Sequence, residues 1–205
     1  MSHEVRTPIT LILNPLEKFI REPSPDSRLD TYRLMYRNAQ RILRLINQMM
    51  DIRKIDKGQM VLKFRETDLI GFIYDIIQTF GYQAEKRNMT VCFEHDMPQL
   101  KIWLDLENFD KVLMNLFSNA FKFTPDGGQI MVKAELVDDR QKVRIVVRDT
   151  GIGIEKSQIE RIFDRFYQAD NPLIKKNYGT GIGLHLSRAL ITLLHGKIEV
   201  QANED

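Results

Sequence analysis

The sequence predicts an α+β chain: an antiparallel helical hairpin first, then a mixed or antiparallel sheet with helices on one face. Three observations carry this. Apolar residues recur every three or four positions over residues 5–20 and 35–50, the period of a helix face. Two later stretches alternate strictly, Ile130, Val132, Ala134, Leu136 and then Val143, Ile145, Val147, the period of half-buried strands. Helical stretches lie around them at 68–87, 106–122 and 184–194.

The first helix presents Val5, Ile9, Ile12, Leu13, Leu16, Phe19 and Ile20 on one face, with Pro8 and Pro15 inside it. Each proline removes a backbone donor and crowds the preceding turn, so a bend is expected. Glu22-Pro23-Ser24-Pro25-Asp26 reads as a turn, with Ser24 or Asp26 available to cap a second helix. That helix carries Met35, Ala39, Ile42, Ile46 and Met49, widened by Leu43 and Met50. The heptad-like spacing suits a hairpin packing on another copy of itself, half of a dimeric four-helix bundle. An ordinary amphipathic hairpin in a single core is the alternative.

The helical pattern ends at Lys57-Gly58-Gln59, which divides the chain into residues 1–57 and 61–205. In the second part Leu69, Phe72, Ile73, Ile76, Ile77 and Phe80 mark one helix over 68–87. Met89–Phe93 and Lys101–Leu104 read as short strands. Asp138-Asp139-Arg140-Gln141 joins the two alternating strands as a hairpin turn. A glycine-punctuated stretch runs from Asp149 to Gly183, and helix 184–194 and a strand Lys197–Val200 close the chain.

Composition narrows the function. The 205 residues are 43% apolar and 28% charged, values that exclude disorder or a disulfide scaffold for the whole chain. Cys92, the one cysteine, cannot form an internal disulfide. No apolar run reaches the roughly 18 residues of a membrane helix, and the start MSHEVRTP has no signal-peptide core. A net charge of +2 argues against a dedicated nucleic-acid binder. Residues 1–60 are the basic part, with 11 basic and 7 acidic residues, which read as solvated helix faces.

Four constellations can carry chemistry. Asn115, Asn119 and Lys122 are spaced by four and three, hence on one helix stripe. The opposite stripe, Val112, Leu113, Leu116, Phe117 and Ala120, is apolar. Neutral amide oxygens suit a hydrated Mg²⁺, and a lysine neutralises phosphate. Asp149-Thr150-Gly151-Ile152-Gly153 puts a carboxylate at a strand end, able to accept from the exocyclic amine of adenine, before glycines that permit close backbone approach. Gly179-Thr180-Gly181-Ile182-Gly183-Leu184 leads into a helix, whose free backbone donors bind phosphate. Its spacing is neither that of the dinucleotide fold nor that of a P-loop. Ser2-His3-Glu4-Val5-Arg6-Thr7-Pro8 pairs an imidazole nucleophile with a neighbouring carboxylate. His185 and His195 read as structural and His95 as a loop residue; no His/Cys cluster has zinc spacing.

In order, SHEVRTP, NLFSNAFKFTPDGG, DTGIGI, IFDRFYQ and GTGIGL resemble the boxes of bacterial two-component sensor histidine kinases, over nearly the whole chain. The run Thr10–Phe19, TLILNPLEKF, is similar to hybrid sensors of Bacteroidetes. The resemblance implies a dimerisation and phospho-acceptor hairpin followed by a GHKL/Bergerat-type α/β sandwich, shared with gyrase, the Hsp90 chaperone and MutL. It implies ATP and Mg²⁺ as cofactors and a homodimer. The partner it implies is a response-regulator receiver domain, in trans or elsewhere in the parent chain. By resemblance His3 is the phospho-acceptor and Glu4 the adjacent acid–base residue. Thr7 would help place water for dephosphorylating the regulator. Asn119 is the main Mg²⁺ ligand with Asn115 in support, Lys122 a phosphate contact, Phe123 the aromatic near adenine, and Asp149 the adenine reader. Gly151 and Gly153 form the first glycine box; Gly179, Thr180, Gly181, Gly183 and Leu184 form the second. Phe163 and Phe166 anchor a lid over about 164–183, with 168–179 expected to be mobile without nucleotide.

Members of the family carry more helix before the His box and a final strand after GKIEV. The hairpin is therefore expected to be N-terminally truncated and the ATP-binding domain to lack its last strand. The resemblance also implies the cytoplasmic part of an inner-membrane sensor. Two other readings compete: a non-catalytic ATP-binding dimerisation switch, and a basic helical module binding nucleic acid through Arg33, Arg37, Arg41 and Arg44. The intact His3, Asn119 and Asp149 disfavour the switch. The lack of interleaved aromatics disfavours direct nucleic-acid contact.

Overall fold

The computed structural model describes residues 2–21, 28–138, 142–168 and 180–202. The expected turn at 22–26, the Asp139–Gln141 part of the hairpin turn, Gly179 and the segment 169–179 lie outside the described residues. Two compact units emerge: residues 1–60 with 164–186, and residues 61–163 with 187–205.

In the first unit, α1 (Ser2–Arg21) and α2 (Arg28–Asp56) pack on each other as a hairpin. Phe19 and Tyr32 meet with ring centroids 5.5 Å apart. α1 runs as one helix through Pro8 and Pro15. The buried seam of α2 is Asn38, Leu45 and Ile52, seven residues apart. Asn38 satisfies its amide on the Leu34 carbonyl at 2.7 Å. The expected stripe is thus divided: Met35, Ile42 and Met49 flank the seam half-buried, whereas Ala39, Leu43, Ile46 and Met50 face outward. The helix ends where the glycine predicts. Gly58 takes φ +64°, its N–H reaches Ile55 O and the Gln59 N–H reaches Lys54 O, the paired bonds that satisfy a helix C-terminus.

The second unit holds β1 (Arg65–Asp68), α3 (Leu69–Thr79), α4 (Gly81–Lys86), β2 (Thr90–His95), β3 (Lys101–Leu104), α5 (Leu106–Phe123), β4 (Gln129–Val137) and β5 (Lys142–Asp149). Strands β2, β4 and β5 form a mixed sheet: β2 runs parallel to β4, and β5 antiparallel to it. α3 and α5 lay Ile73, Leu113, Phe117 and Phe121 over Ile130, Val132 and Ala134. These are all 1% exposed or less, the burial that holds an α/β layer together.

Four elements differ from expectation. The helix expected over 68–87 breaks at Phe80, which turns out of the helix so that its ring stacks on Phe117 and Phe121, at 5.9 and 4.8 Å. Gly81 after it lowers the cost of the break. Strand β1 has no alternating signal of its own; it exists because it pairs antiparallel with β3, Arg65 opposite Leu104. His95 ends β2 rather than lying in a loop, its Nδ1 2.7 Å from the Met97 carbonyl oxygen. Residues 197–200 are not a strand. Ile198 and Val200 alternate in burial with Glu199 as an extended chain would, but no neighbouring strand among the described residues supplies the ladder that defines one.

Candidate functional site

The site of the second unit is built on α5, and both ends of that helix are pinned. At the start, the Asp105 carboxylate accepts the Asn108 backbone N–H at 3.0 Å, the Asn108 side-chain amide at 3.1 Å and the Lys63 N–H at 2.7 Å. Burial alone would push this carboxyl up; the three N–H donors and the Lys111 charge outweigh it and hold the group below its ordinary value. At the far end, the Arg87 guanidinium donates to the carbonyls of Phe121 and of Thr124, the latter at 2.7 Å, and pairs with Asp126 at 2.7 Å. A cation there meets the negative end of the helix dipole and its unpaired carbonyls.

Between these anchors the two stripes separate as the spacing requires. Val112, Leu113, Phe117 and Ala120 are buried, while Asn115, Asn119 and Lys122 are half-buried on the other face. The Lys122 ammonium lies 4.1 Å from the centroid of the Phe123 ring. The Asn115 Nδ2 donates to the Ser187 hydroxyl oxygen at 2.9 Å.

Strand β5 delivers Asp149 to the same helix end. Its Oδ1 accepts the Gly151 N–H at 2.9 Å, which sets the carboxylate's orientation. The turn then closes on α5, the Ile152 N–H donating to the Phe123 carbonyl at 3.3 Å. Gly151 is required by this approach: a β-carbon there would lie 2.5 Å from Asp149 Oδ1 and 2.6 Å from the Phe123 carbonyl oxygen. Thr150 ties the turn to β4 through its N–H to Gln129 O at 3.0 Å, and its hydroxyl oxygen accepts the Gln129 N–H at 2.9 Å. Gly153 follows at φ +68°. Phe123, Asp149 and Gly151 are therefore brought together at the end of the helix that carries Asn115, Asn119 and Lys122, with Gly153 next in the turn.

The remaining predicted residues, Phe163 and Gly179 apart, belong to the other unit. His3, Glu4 and Thr7 lie on α1; His3 and Thr7, four apart, share a face, and Thr7 is exposed. The side chains of His3 and Glu4 are outside the described set. Thr180 donates to Gln48 Oε1 at 3.4 Å and accepts the Ile182 N–H at 3.2 Å. Gly181, at φ +66°, lies so close to Phe166 that a β-carbon would come 2.6 Å from its carbonyl carbon. Arg165 grips the Asp56 carboxylate at 2.8 and 2.9 Å and donates to His185 Nε2 at 2.9 Å. Gly183 opens α6 (Gly183–Leu193), with Leu184 half-buried behind it. In the second unit Phe163 is buried beneath the Arg188 guanidinium, 5.1 Å from its ring centroid.

Among the described residues no group of three or more His, Cys, Asp or Glu could cage a metal. The amides of Asn115 and Asn119 beside Lys122 fit Mg²⁺ instead, an ion that keeps several waters and takes phosphate oxygens as ligands. Arg87, Asp105 and Ser187 complete the site; the contacts of Arg87 and Ser187, and the Lys63 N–H that Asp105 accepts beside its local cap, lie 34, 72 and 42 residues away, beyond any local pattern.

Residues 104–205 match the family described as histidine kinase-, DNA gyrase B- and HSP90-like ATPases, and residues 1–58 match the His Kinase A phospho-acceptor domain. Histidine kinase P4 of Formosa agariphila is 33% identical over 100% of this chain, and sensor histidine kinase TmoS of Ectopseudomonas mendocina is 36% identical over 98%. The chain spans 15% and 21% of those two relatives. The histidine kinase ThkA, solved with the response regulator protein TrrA, superposes with a TM-score of 0.70 at 27% identity, over 95% of this chain and 53% of that one. Histidine kinase AdeS of Acinetobacter baumannii shares the fold, with a TM-score of 0.79 at 20% identity over 98% of this chain and 91% of that one.

Proposed function

This chain belongs to the sensor histidine kinases, and from that premise we propose that it is a kinase core that phosphorylates its own His3 from ATP. Residues 1–57 form the dimerising phosphotransfer hairpin and residues 61–205 the ATP-binding domain. The phosphoryl group then passes to an aspartate of a response-regulator receiver domain. The observation that carries the reading is the end of α5, where Phe123, on the helix that also carries Asn115, Asn119 and Lys122, meets the Asp149–Gly151 turn.

The residues divide the work. Asp149, its orientation set by the Gly151 N–H, accepts the exocyclic amine of adenine, and Phe123 supplies an apolar ring beside it. Lys122 and the backbone donors that open α6 bind phosphate. Asn119, supported by Asn115, contributes amide oxygens to Mg²⁺. Bound Mg²⁺ neutralises charge on the phosphate oxygens, which phosphoryl transfer needs more than covalent help from the protein. One imidazole nitrogen of His3 attacks the γ-phosphorus; the N–P bond forms as the bond to the ADP oxygen breaks. Glu4 takes the proton from the other ring nitrogen. Thr7, on the same helix face, would place water for the reverse task of clearing the regulator's phosphate. Exposed apolar residues on both helices, Leu11 and Leu13 of α1 and Leu43, Ile46 and Met50 of α2, support a homodimer of hairpins. No described helix is long and apolar enough to cross a membrane; the family premise supports placing the chain on the cytoplasmic side of an inner-membrane sensor.

Incubation with Mg²⁺ and γ-labelled ATP tests the reading. Acid-labile, alkali-stable label that disappears in His3→Gln is the expected result. ATP binding with no label on His3 would overturn it and leave a non-catalytic ATP-binding switch.

A further inference from the structure

The Ser187 hydroxyl is out of place for packing alone. It is 1% exposed, in a helix whose other buried residues are Leu186 and Leu190. A buried hydroxyl without a partner is costly, and this one has a side-chain partner far off in sequence: it accepts the Asn115 Nδ2 at 2.9 Å, across 72 residues. We infer that Ser187 is a positioning residue that fixes which atom of the Asn115 amide is presented to the cation.

This role rests on the nucleotide-site reading above and on the chemistry of a planar amide. An asparagine carries a donor on one branch and an acceptor on the other, and a half-turn about its last torsion exchanges them. Only the oxygen can ligate Mg²⁺; a turned amide would offer two N–H groups and repel it. In the structure the Ser187 hydroxyl oxygen takes the acceptor role toward the Asn115 amide. An acceptor at that place draws the Asn115 nitrogen and leaves Oδ1 on the other branch. Alanine at 187 would remove this bias without removing the ligand. The amide would then sample both orientations and surrender part of its contribution to metal-assisted binding.

The test measures ATP affinity by calorimetry at saturating Mg²⁺ and again in EDTA, for the 205-residue chain and for Ser187→Ala, Asn115→Ala and the double variant. Ser187→Ala should weaken binding about three- to tenfold with Mg²⁺, the range of one net hydrogen bond, and leave the EDTA value unchanged. The double variant should bind no worse than Asn115→Ala, because the serine acts only through the asparagine. Equal losses with and without Mg²⁺, or additive losses, would overturn the inference. A second measurement needs no variant that folds: in the nucleotide-free wild-type chain, one Asn115 side-chain amide proton should exchange with solvent at least about tenfold more slowly than its twin. Two protons exchanging at the same fast rate would also overturn it. Should the wild-type chain bind no ATP in either condition, the nucleotide-site reading falls and this inference with it; where wild type binds and the variants lack the Mg²⁺-dependent, non-additive pattern, the Ser187 inference alone falls.

Discussion

Replacing Arg87 by alanine should destabilise the second unit by about 2–4 kcal/mol. The magnitude comes from what the guanidinium touches. It donates to two carbonyls at the end of α5, those of Phe121 and Thr124, and hydrogen bonds to a charged group each contribute about 1.5–3 kcal/mol. The side chain is 25% exposed, so water replaces part of the loss, and the ion pair to Asp126, itself 75% exposed, adds at most a few tenths. Lysine has the charge but not the fork, so Arg87→Lys should recover less than half. Urea denaturation followed by circular dichroism gives the stability difference. Hydrogen exchange then localises it, with the amides of Phe121–Thr124 exchanging at least about tenfold faster, the factor for 1.4 kcal/mol. A loss under about 1 kcal/mol, or full rescue by lysine, would show that the helix end is held by core packing and that the guanidinium is incidental to it.

Three further outcomes follow from the same geometry. Asp149→Asn should weaken ATP binding by at least about tenfold, since its amide nitrogen would face the adenine amine donor to donor; a fluorescent ATP analogue measures this, and undiminished affinity would remove Asp149 as the base reader. Gly151→Ala should weaken ATP binding similarly while costing about 1–3 kcal/mol of stability, because its β-carbon meets the Phe123 carbonyl oxygen at 2.6 Å and must displace the turn; a crystal structure of the variant with the turn unmoved would contradict it. Asp105 makes stability fall in acid. Its folded value lies below the ordinary 3.8, so its contribution is complete above 3.8 and is lost as pH drops through the lower folded value. Asp105→Asn should be less stable at neutral pH and should flatten that acid limb in pH-dependent urea titrations.

Part of the fold is legible in the residues alone. The α5 stripes of Asn115, Asn119 and Lys122 against Val112, Leu113 and Phe117 follow from a period of 3.6, and the end of α2 follows from Gly58. The site residues carry a further signal, since the boxes resemble a known family in their order. The apolar spacing over 68–87 predicts too long a helix, because it continues through Phe80 although that ring leaves the helix to stack on Phe121. Strand β1 escapes a sequence reading, and 197–200 imitates a strand, for one reason: a strand is defined by a partner edge, and its own residues do not reveal whether one is there.

The elements that repeat with a helical or strand period, and the residue types that the chemistry needs, can be read from the order of residues alone. Periodicity reports which side of one element is apolar, and that is a local property. What holds those residues in place comes from the folded chain: Arg87 closing α5, Asp105 taking the Lys63 N–H, Gly151 lying against Phe123, and Ser187 taking the Asn115 amide. Each joins groups distant along the chain or places them by a backbone approach, so the energy that fixes the site depends on a distance that no one-dimensional pattern encodes.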